Sequence, residues 1–409
     1  MWRRTIEIAL MVAALTFTLA ACGSTTTGGG GSPAPTATTR PPCTTWRIIP
    51  NSATAQLASS RLTGMSTLSP ANAWAVGVSV AGNGNNLAAS LIERWDGSAW
   101  SAVANPGAGD LYSVAAVSAQ DAWAVGVKYS VVSSQQWLMV EHWNGTQWSI
   151  VTTPIPGQTN SAFNAVAAQS ANSVWAAGYY NGLGFNPQPV IERWDGSAWH
   201  IASTSLPEGA TAASLDALGV VPGSNQVWAT GSVRYGEPSD PGRGYFQPLI
   251  ERWDGSAWKF VASPALPAGA LAGELKGIVA LSTTNAWAVG EYTASDHTIR
   301  TLIAHWNGAS WAISPSPDEW GSLSGVAAIG ARDVRAVGYH QIGAEGSAQI
   351  GVVERWNGAT WSLAESPTPQ GVTHSSLDAI TADGAGGYWA VGYYPDADSV
   401  AHALIARCS

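Results

Sequence analysis

A ten-residue segment with two tryptophans recurs along the chain and constrains its fold more than any other feature. It reads LIERWDGSAW at residues 91–100 and returns at residues 139–148, 190–199, 249–258, 302–311 and 352–361. Each copy follows a short segment of the type AWAVG. The last residues, LIARCS at 404–409, begin a seventh copy, and CTTWRIIP at 43–50 supplies its missing half. The sequence therefore predicts seven copies of one structural unit, the last of them assembled from both chain ends.

Three sets of positions count to the same number of repeats. The AWAVG segments centre on Trp74, Trp123, Trp175, Trp228, Trp287, Arg335 and Trp389, with Arg335 as the single departure. The next marker is tryptophan at positions 95, 143, 194, 253, 306 and 356, and Cys408 takes its seventh place. The third is tryptophan at positions 46, 100, 148, 199, 258, 311 and 361. Because these markers hold 19 of the 22 tryptophans, we expect the rings to pack between adjacent units rather than to form a ligand platform.

Each unit is predicted to contain four short strands. In the second unit they cover residues 111–118, 121–128, 138–143 and 146–153. Alanine, valine and tryptophan dominate these runs, and turn-forming residues separate them. Asp-Gly or Asn-Gly joins the third strand to the fourth in six units, which predicts type I′ hairpins. Repeats of 48 to 59 residues are typical of propeller blades. The sequence therefore predicts an all-β fold, a seven-bladed β-propeller of four-stranded blades.

Closure of this ring requires the two chain ends to pair, because a propeller leaves no free sheet edge between its first and last blades. We expect the N-terminal strand 43–50 to lie beside the C-terminal strand 401–408. Cys43 and Cys408 then stand at neighbouring strand ends, where a disulfide can form if their Cα atoms come within about 7 Å.

The order of AWAVG, a variable loop, [VI]-E-R-W-D-G-x-x-W-S and a following proline resembles kelch-type blades of the galactose-oxidase-like propeller class. The resemblance covers residues 43–408. Copper-oxidase members of that class use a tyrosine–cysteine pair with histidines, and this chain has no cysteine to spare for one. We find no phosphate-binding glycine loop, nucleophile elbow or HExxH motif either. The sequence therefore predicts no cofactor and no metal.

The N-terminus is predicted to direct export. Arg3 and Arg4 precede an apolar run that is too short to span a bilayer, and Leu19 to Cys22 read LAAC. This tetrapeptide resembles a bacterial lipoprotein processing box, which implies that residues 1–22 are a signal and that Cys22 carries the lipid. An ordinary cleaved signal is the alternative. Residues 23–42, rich in Gly, Ser, Thr and Pro, are predicted to tether a folded domain at 43–409.

Candidate site residues come from positions that differ between repeats, since loops converge around the axis of a ring-shaped fold and ligands bind there. An apolar pair three residues apart opens each unit, and the residue after its first member varies. These ring residues are Thr63, Tyr112, Asn164, Asp216, Lys276, Ser324 and Asp378. As a site, Asp216 and Asp378 would accept from sugar hydroxyls or hold a cation, while Lys276 and Asn164 would donate. Alternatively, the ring only hydrates an open channel.

Tyrosines at the end of the second strand are a second group of candidates, because a phenol pairs an apolar face with a hydroxyl. They are Tyr179, Tyr292, Tyr339 and Tyr393. Alternatively, they cap the interfaces between blades. The longest loop on the same face, 232–248, contains Arg234, Tyr235 and Arg243, and we expect it to contribute to binding.

The charge of the chain bears on its partners. Charged residues make up 11% of the sequence and the net charge is −9, without the basic stripe that binds phosphates, so we expect no nucleic acid partner. The leading hypothesis is a monomeric propeller, lipid-anchored to the outer face of a bacterial cell membrane, that binds an extracellular protein or glycan without catalysis. One alternative is a polysaccharide-acting glycosidase or lyase that uses Asp216, Asp378 and Lys276. A purely structural envelope protein is another.

Overall fold

The computed structural model describes most of the chain beyond the N-terminal segment. The described residues are 43–51, 57–81, 88–107, 109–129, 135–154, 160–181, 186–202, 205–237, 240–318, 320–342 and 348–409. The predicted signal, Cys22 and the predicted tether lie outside them.

Twenty-eight strands in these residues form seven antiparallel sheets of four strands each. The first strand, β1 (Trp46–Ile48), belongs to the last sheet. Blade 1 contains β2 (Leu57–Ser69), β3 (Asn72–Ala81), β4 (Ala88–Trp95) and β5 (Trp100–Ala102). Blade 2 contains β6 (Gly109–Ser118), β7 (Asp121–Tyr129), β8 (Gln136–Trp143) and β9 (Trp148–Ile150). Blade 3 contains β10 (Ser161–Ser170), β11 (Ser173–Asn181), β12 (Pro187–Trp194) and β13 (Trp199–Ala202).

The remaining blades repeat this order. Blade 4 contains β14 (Ala210–Val220), β15 (Val227–Glu237), β16 (Asp240–Trp253) and β17 (Trp258–Phe260). Blade 5 contains β18 (Ala272–Ser282), β19 (Asn285–Thr293), β20 (Ile299–Trp306) and β21 (Trp311–Ser314). Blade 6 contains β22 (Gly321–Gly330), β23 (Asp333–Ile342), β24 (Ala348–Trp356) and β25 (Trp361–Ala364). Blade 7 contains β26 (Ser376–Ala382), β27 (Tyr388–Pro395), β28 (Ala401–Cys408) and β1.

The four strands of each blade are called A to D in this order. Strand A of every blade lies beside strand A of the next, and strand A of blade 7, β26, lies beside strand A of blade 1, β2. The chain is a seven-bladed β-propeller. Strand A is innermost in every blade, so the residues that differ between repeats there face a common axis.

Pairing between β1 and β28 closes the ring, as the split repeat predicts. Trp46 pairs with Cys408, and Ile48 pairs with Ala406. The disulfide between Cys43 and Cys408 is present, with Cα atoms 5.6 Å apart, and both cysteines are buried. The C-terminal strand has the predicted bounds, whereas the N-terminal strand is limited to Trp46–Ile48 instead of 43–50.

Tryptophans pack between blades, as the repeat markers predict. In six of the seven interfaces, the strand B tryptophan of one blade contacts the strand C and strand D tryptophans of the next. Ring centroids in these contacts are 4.9–5.4 Å apart. Most of these rings are buried, so each interface removes a large apolar area from water.

The interface between blades 6 and 7 explains why Arg335 replaces tryptophan. Cys408 occupies the place of the strand C tryptophan there, so the disulfide replaces one ring of the usual set. The buried guanidinium of Arg335 lies over the rings of Trp46 and Tyr388 and donates to the Cys43 carbonyl. It also lies 3.7 Å from the sulfur of Cys408. The two departures from the repeat therefore contact each other.

The hairpins between strands C and D are confirmed, but the predicted type I′ turns are wrong. Pairing ends at Trp95 and Trp100, which leaves four residues in the turn. The carboxylate of Asp96 accepts hydrogen bonds from the backbone N–H groups of Ser98 and Ala99. Only the glycine, Gly97, has a positive φ. The aspartate thus stabilises the turn through its side chain, and it does not need the left-handed conformation that a type I′ turn requires.

Candidate functional site

A β-bulge in strand A orients the seven ring residues. In every blade, the ring residue is the one that pairing between strands A and B skips. In blade 4, Leu215 pairs with Gly231 and Ala217 pairs with Thr230, so Asp216 has no partner on strand B. Such an extra residue bends a strand and redirects its side chain. The bulges therefore present seven different side chains at the propeller axis.

The glycine of each AWAVG segment is required by this bulge. A Cβ atom at Gly231 would collide with the backbone carbonyl oxygen of Ser214, on the facing strand A. The same collision recurs at the equivalent glycines, Gly77, Gly126, Gly178, Gly290, Gly338 and Gly392. Glycine is conserved among the repeats because two backbone segments approach closely there.

All seven ring residues line one axial cavity of about 160 Å³. Small residues follow them along the wall, such as Gly64, Ala217 and Gly325. The second member of the apolar pair lines the cavity in six blades, as in Leu218 and Ile278. The cavity is thus polar at the ring and apolar three residues further along strand A. The structure brings the predicted ring residues together, and their role in binding stays a prediction.

Several ring residues connect neighbouring blades. The hydroxyl of Thr63 donates to the carbonyl of Leu111 at 2.6 Å. The amide of Asn164 donates to the carbonyl of Leu215 at 3.0 Å. The guanidinium of Arg61 in blade 1 donates to Asp378 in blade 7 at 2.8 Å. These contacts therefore join neighbouring blades at the inner ring. The sequence analysis considered ligand binding or hydration of a channel for these residues, and it did not include this structural role.

Lys276 is surrounded by acceptors. Its ammonium lies 2.7 Å from Glu291, 3.0 Å from Glu274 and 3.2 Å from the hydroxyl of Ser322. Burial lowers the pKa of this lysine, but the two carboxylates outweigh burial and the net pKa is raised. Because an ammonium has three hydrogens, all of its donor capacity is used within the protein.

Asp216 keeps an unused acceptor in the cavity. Its Oδ1 accepts hydrogen bonds from the Asn164 amide and the Ser214 hydroxyl, each at 3.0 Å. Its Oδ2 has no donor among the described residues. Burial raises the pKa of Asp216 to about 6, and the charge of Glu274 adds to this effect. The carboxylate is therefore ionised at neutral pH and loses its charge in mild acid.

Tyrosines surround the ring residues. Tyr129 donates to Asp110 at 2.8 Å, and burial followed by the charge of Asp110 raises the pKa of Tyr112. Burial and then the charge of Asp216 raise the pKa of Tyr179. The guanidinium of Arg61 lies 4.9 Å from the ring centre of Tyr393.

Tyr339 belongs to the same group, because burial and then the charge of Glu291 raise its pKa. The structure thus gathers Tyr112, Tyr179, Tyr339 and Tyr393 near the axis.

Other candidates lie apart from this cluster. Tyr292 packs against the hydrophobic core between blades 4 and 5. The predicted loop 232–248 is instead the end of a long hairpin of β15 and β16, because pairing continues through Tyr235 and Tyr245 to its tip. Those two tyrosine rings stack with centroids 5.9 Å apart. Arg234 lies beside them on the same hairpin, and the side chain of Arg243 lies outside the described part.

The sequence interpretation missed four charged residues of the cluster. Arg61, Asp110 and Glu274 each directly precede the first residue of the strand A apolar pair, and Glu291 directly follows the strand B glycine. The position before the pair is polar in six of the seven repeats. This polarity could have identified the residues before the pair. In a strand, the two residues on either side of a buried residue lie on the same face, so the residue before the pair shares a face with the ring residue.

A larger cleft of about 500 Å³ lies at the other end of the strands, between blades 3 and 4. It is lined by Gln169, Arg193, Trp253 and the turn at residues 222–225. The guanidinium of Arg193 stacks on Trp175 in this region. None of the described residues that line the cleft is a carboxylate, so its chemistry differs from that of the axial cavity.

Two further structural features are relevant to a ligand. No group of three or more His, Cys, Asp and Glu side chains in the described residues could hold a metal ion. The same residues include no helix that is long and apolar enough to cross a membrane.

Comparison with known proteins supports the fold. No protein-family model matches the chain, and no curated protein matches it, so the likeness to kelch-type blades stays a prediction. Among solved structures, an ulvan lyase bound to a saccharide containing glucuronic acid is similar, with a TM-score of 0.55 and 8% identity over 88% of this chain and 95% of the lyase. The polysaccharide lyase Uly1 is similar with a TM-score of 0.54 and 8% identity, over 85% of this chain and 89% of the lyase.

Proposed function

We propose that the protein binds an extracellular glycan at the axial ring without turning it over. The free Oδ2 of Asp216 carries this proposal, because it is an ionised acceptor in a cavity whose other charged groups already have partners. Sugar hydroxyls donate to such carboxylates, and sugar rings pack on tyrosine faces such as those of Tyr112 and Tyr179. The two polysaccharide lyases with the same fold favour a glycan over a protein ligand.

Binding is favoured over catalysis because the candidate catalytic groups are occupied. Asp378 accepts from Arg61 and from the hydroxyl of Ser376, at 2.8 and 2.9 Å. Lys276 uses all three hydrogens on protein acceptors. A lyase that acts on uronic acids needs a cation to neutralise the substrate carboxylate, and Lys276, the cation that lines the cavity in the described residues, is already paired with two carboxylates.

A glycosidase is the second candidate, and the raised pKa of Asp216 favours it. A carboxyl group with a pKa of about 6 is suited to protonate a leaving group. This function requires a second carboxylate about 5 to 10 Å away with a free oxygen. Glu274 is the candidate, since it is close enough to Asp216 to raise its pKa, but it contacts Lys276.

The place of action is also a proposal. Disulfides are typical of exported proteins, and the one between Cys43 and Cys408 supports export. We propose that a lipid on Cys22 and the segment 23–42 hold a monomeric propeller on the outer face of the bacterial cell membrane.

A glycan array probed with the full-length chain tests the function. Binding of a defined set of glycans, with no release of reducing ends or unsaturated products over hours, is expected. Turnover of a bound glycan that Asp216→Asn abolishes would establish the glycosidase instead. Absence of both binding and turnover on a broad array would contradict the proposal.

A further inference from the structure

The ring residues and the groups that they contact carry an excess of negative charge. Five carboxylates belong to this cluster, on Asp110, Asp216, Glu274, Glu291 and Asp378. Two cations belong to it, on Arg61 and Lys276. Five negative and two positive charges leave a net charge of −3 when all are ionised.

The contacts within the cluster restrict where a ligand can bind. Lys276, the cation that lines the cavity in the described residues, is held by two carboxylates at 2.7 and 3.0 Å, so it cannot approach an anionic ligand without losing an existing ion pair. Arg61 donates its Nε–H to Asp378 at 2.8 Å and is not part of the cavity lining. Two carboxylates line the cavity in the described residues. Asp378 accepts at both oxygens, whereas Oδ2 of Asp216 has no protein donor. The described lining of the cavity therefore offers an acceptor for a hydroxyl, and its one cation, Lys276, is already paired.

The size of the cavity limits the portion of a ligand that can enter. The cavity has a volume of about 160 Å³. Small-molecule pockets usually measure about 300 to 1,000 Å³. The apolar side chains of Leu218 and Ile278 line the cavity beyond the ring, and they offer hydroxyl groups no partners there. We infer that the cavity accommodates part of one sugar ring.

We propose that the axial cavity selects uncharged glycans and holds one sugar residue through a hydroxyl that donates to Oδ2 of Asp216. Uronic acids and sulfated sugars are excluded by repulsion from the net negative cluster. This inference rests on the proposed glycan-binding function and adds the class of ligand and the residue that specifies it. The proposed ligand is uncharged, whereas the saccharide bound to the similar ulvan lyase contains glucuronic acid.

The pH dependence of binding follows from the surroundings of Asp216. Glu274, Lys276 and Tyr179 are the titratable groups that interact with it. Because the pKa of Asp216 is about 6, the carboxylate is ionised at pH 7.5 and largely protonated at pH 5. A protonated carboxyl group is a weaker acceptor, so affinity for an uncharged glycan decreases as the pH falls through 6.

The test compares two sets of oligosaccharides on the full-length chain by calorimetry. The neutral set contains gluco-, manno- and galacto-oligosaccharides, and the anionic set contains glucuronate and galacturonate oligomers. We expect binding from the neutral set alone. Asp216→Asn should weaken it by about tenfold or more, since a hydrogen bond to a charged group is lost. Asp398→Asn is the matched control, because Asp398 lies in an exposed B–C turn of blade 7, and it should leave affinity unchanged.

The outcomes separate the inference from the function on which it rests. Binding of the anionic set, or binding of neutral glycans that Asp216→Asn leaves unchanged, overturns the inference while glycan binding stands. Failure to bind either set overturns the proposed function itself. The pH profile of the unmodified protein gives a reading that does not depend on how a variant folds, and constant affinity from pH 5 to 7.5 would also overturn the inference.

Discussion

Replacing Glu141 by glutamine should remove a loss of stability that the natural protein undergoes as the pH rises. Glu141 lies on strand C of blade 2 and is fully buried, and neither oxygen has a hydrogen-bond donor among the described residues. It pairs with Ala124 and with Ile150, and Gly107 packs against its carboxyl group. Burial raises the pKa of Glu141 to about 7 from a usual value of 4.5.

The sign and size of the effect follow from this shift. A carboxyl group with a raised pKa contributes stability that is fully present below pH 4.5, where it is protonated in both states. That stability is lost as the pH rises toward 7, because the folded state binds more protons than the unfolded state. A shift of about 2.5 pKa units corresponds to roughly 3 kcal/mol at about 1.36 kcal/mol per unit. Glutamine stays neutral, so the variant avoids this loss.

Urea unfolding at pH 5 and pH 8, with the disulfide intact, measures the difference. We expect Glu141→Gln to match the natural protein within about 1 kcal/mol at pH 5 and to exceed its stability by up to about 3 kcal/mol at pH 8. Glu365→Gln removes an exposed carboxylate and serves as the control, with no difference between the two pH values. An equal effect of Glu141→Gln at both values would refute the account of this buried carboxyl group.

Three further variants test the closure, the bulges and the anchor. Replacing Cys43 and Cys408 by serine should reduce the free energy of unfolding by about 5 kcal/mol in urea titrations, because the disulfide closes a loop of 365 residues; an unchanged midpoint would contradict this. Gly338→Ala should cost about 1–3 kcal/mol by overpacking, whereas Gly330→Ala, where nothing lies within 4 Å of the added Cβ, should cost little; similar losses for both would argue against the bulge explanation. Cys22→Ser should abolish palmitate labelling and release the protein from membranes, and persistent labelling would contradict the proposed lipid anchor.

Most of the fold was predictable because the sequence repeats one structural unit seven times. Tryptophan spacing predicts the blades, and the split copy at the chain ends predicts both the closure and the disulfide between Cys43 and Cys408. Arg335 stood out as the one departure among the AWAVG segments. Its explanation needed coordinates, because only the structure places it against the disulfide.

The site was less predictable because side-chain pairing across blades leaves no pattern in a single sequence. The position of the ring residues followed from the repeat. The bulge that orients them did not, since an extra residue in a strand leaves the local composition unchanged and only the facing glycine hints at it. The ion pair between Arg61 and Asp378 joins residues 317 positions apart, and the hydrogen bonds of Lys276 are equally nonlocal.

A crystal structure with a bound neutral oligosaccharide tests the central claim most directly. The account predicts one sugar residue at the propeller axis, with a hydroxyl oxygen within about 3 Å of Oδ2 of Asp216. Sugar bound instead in the cleft between blades 3 and 4, against Arg193 and Trp253, would contradict it.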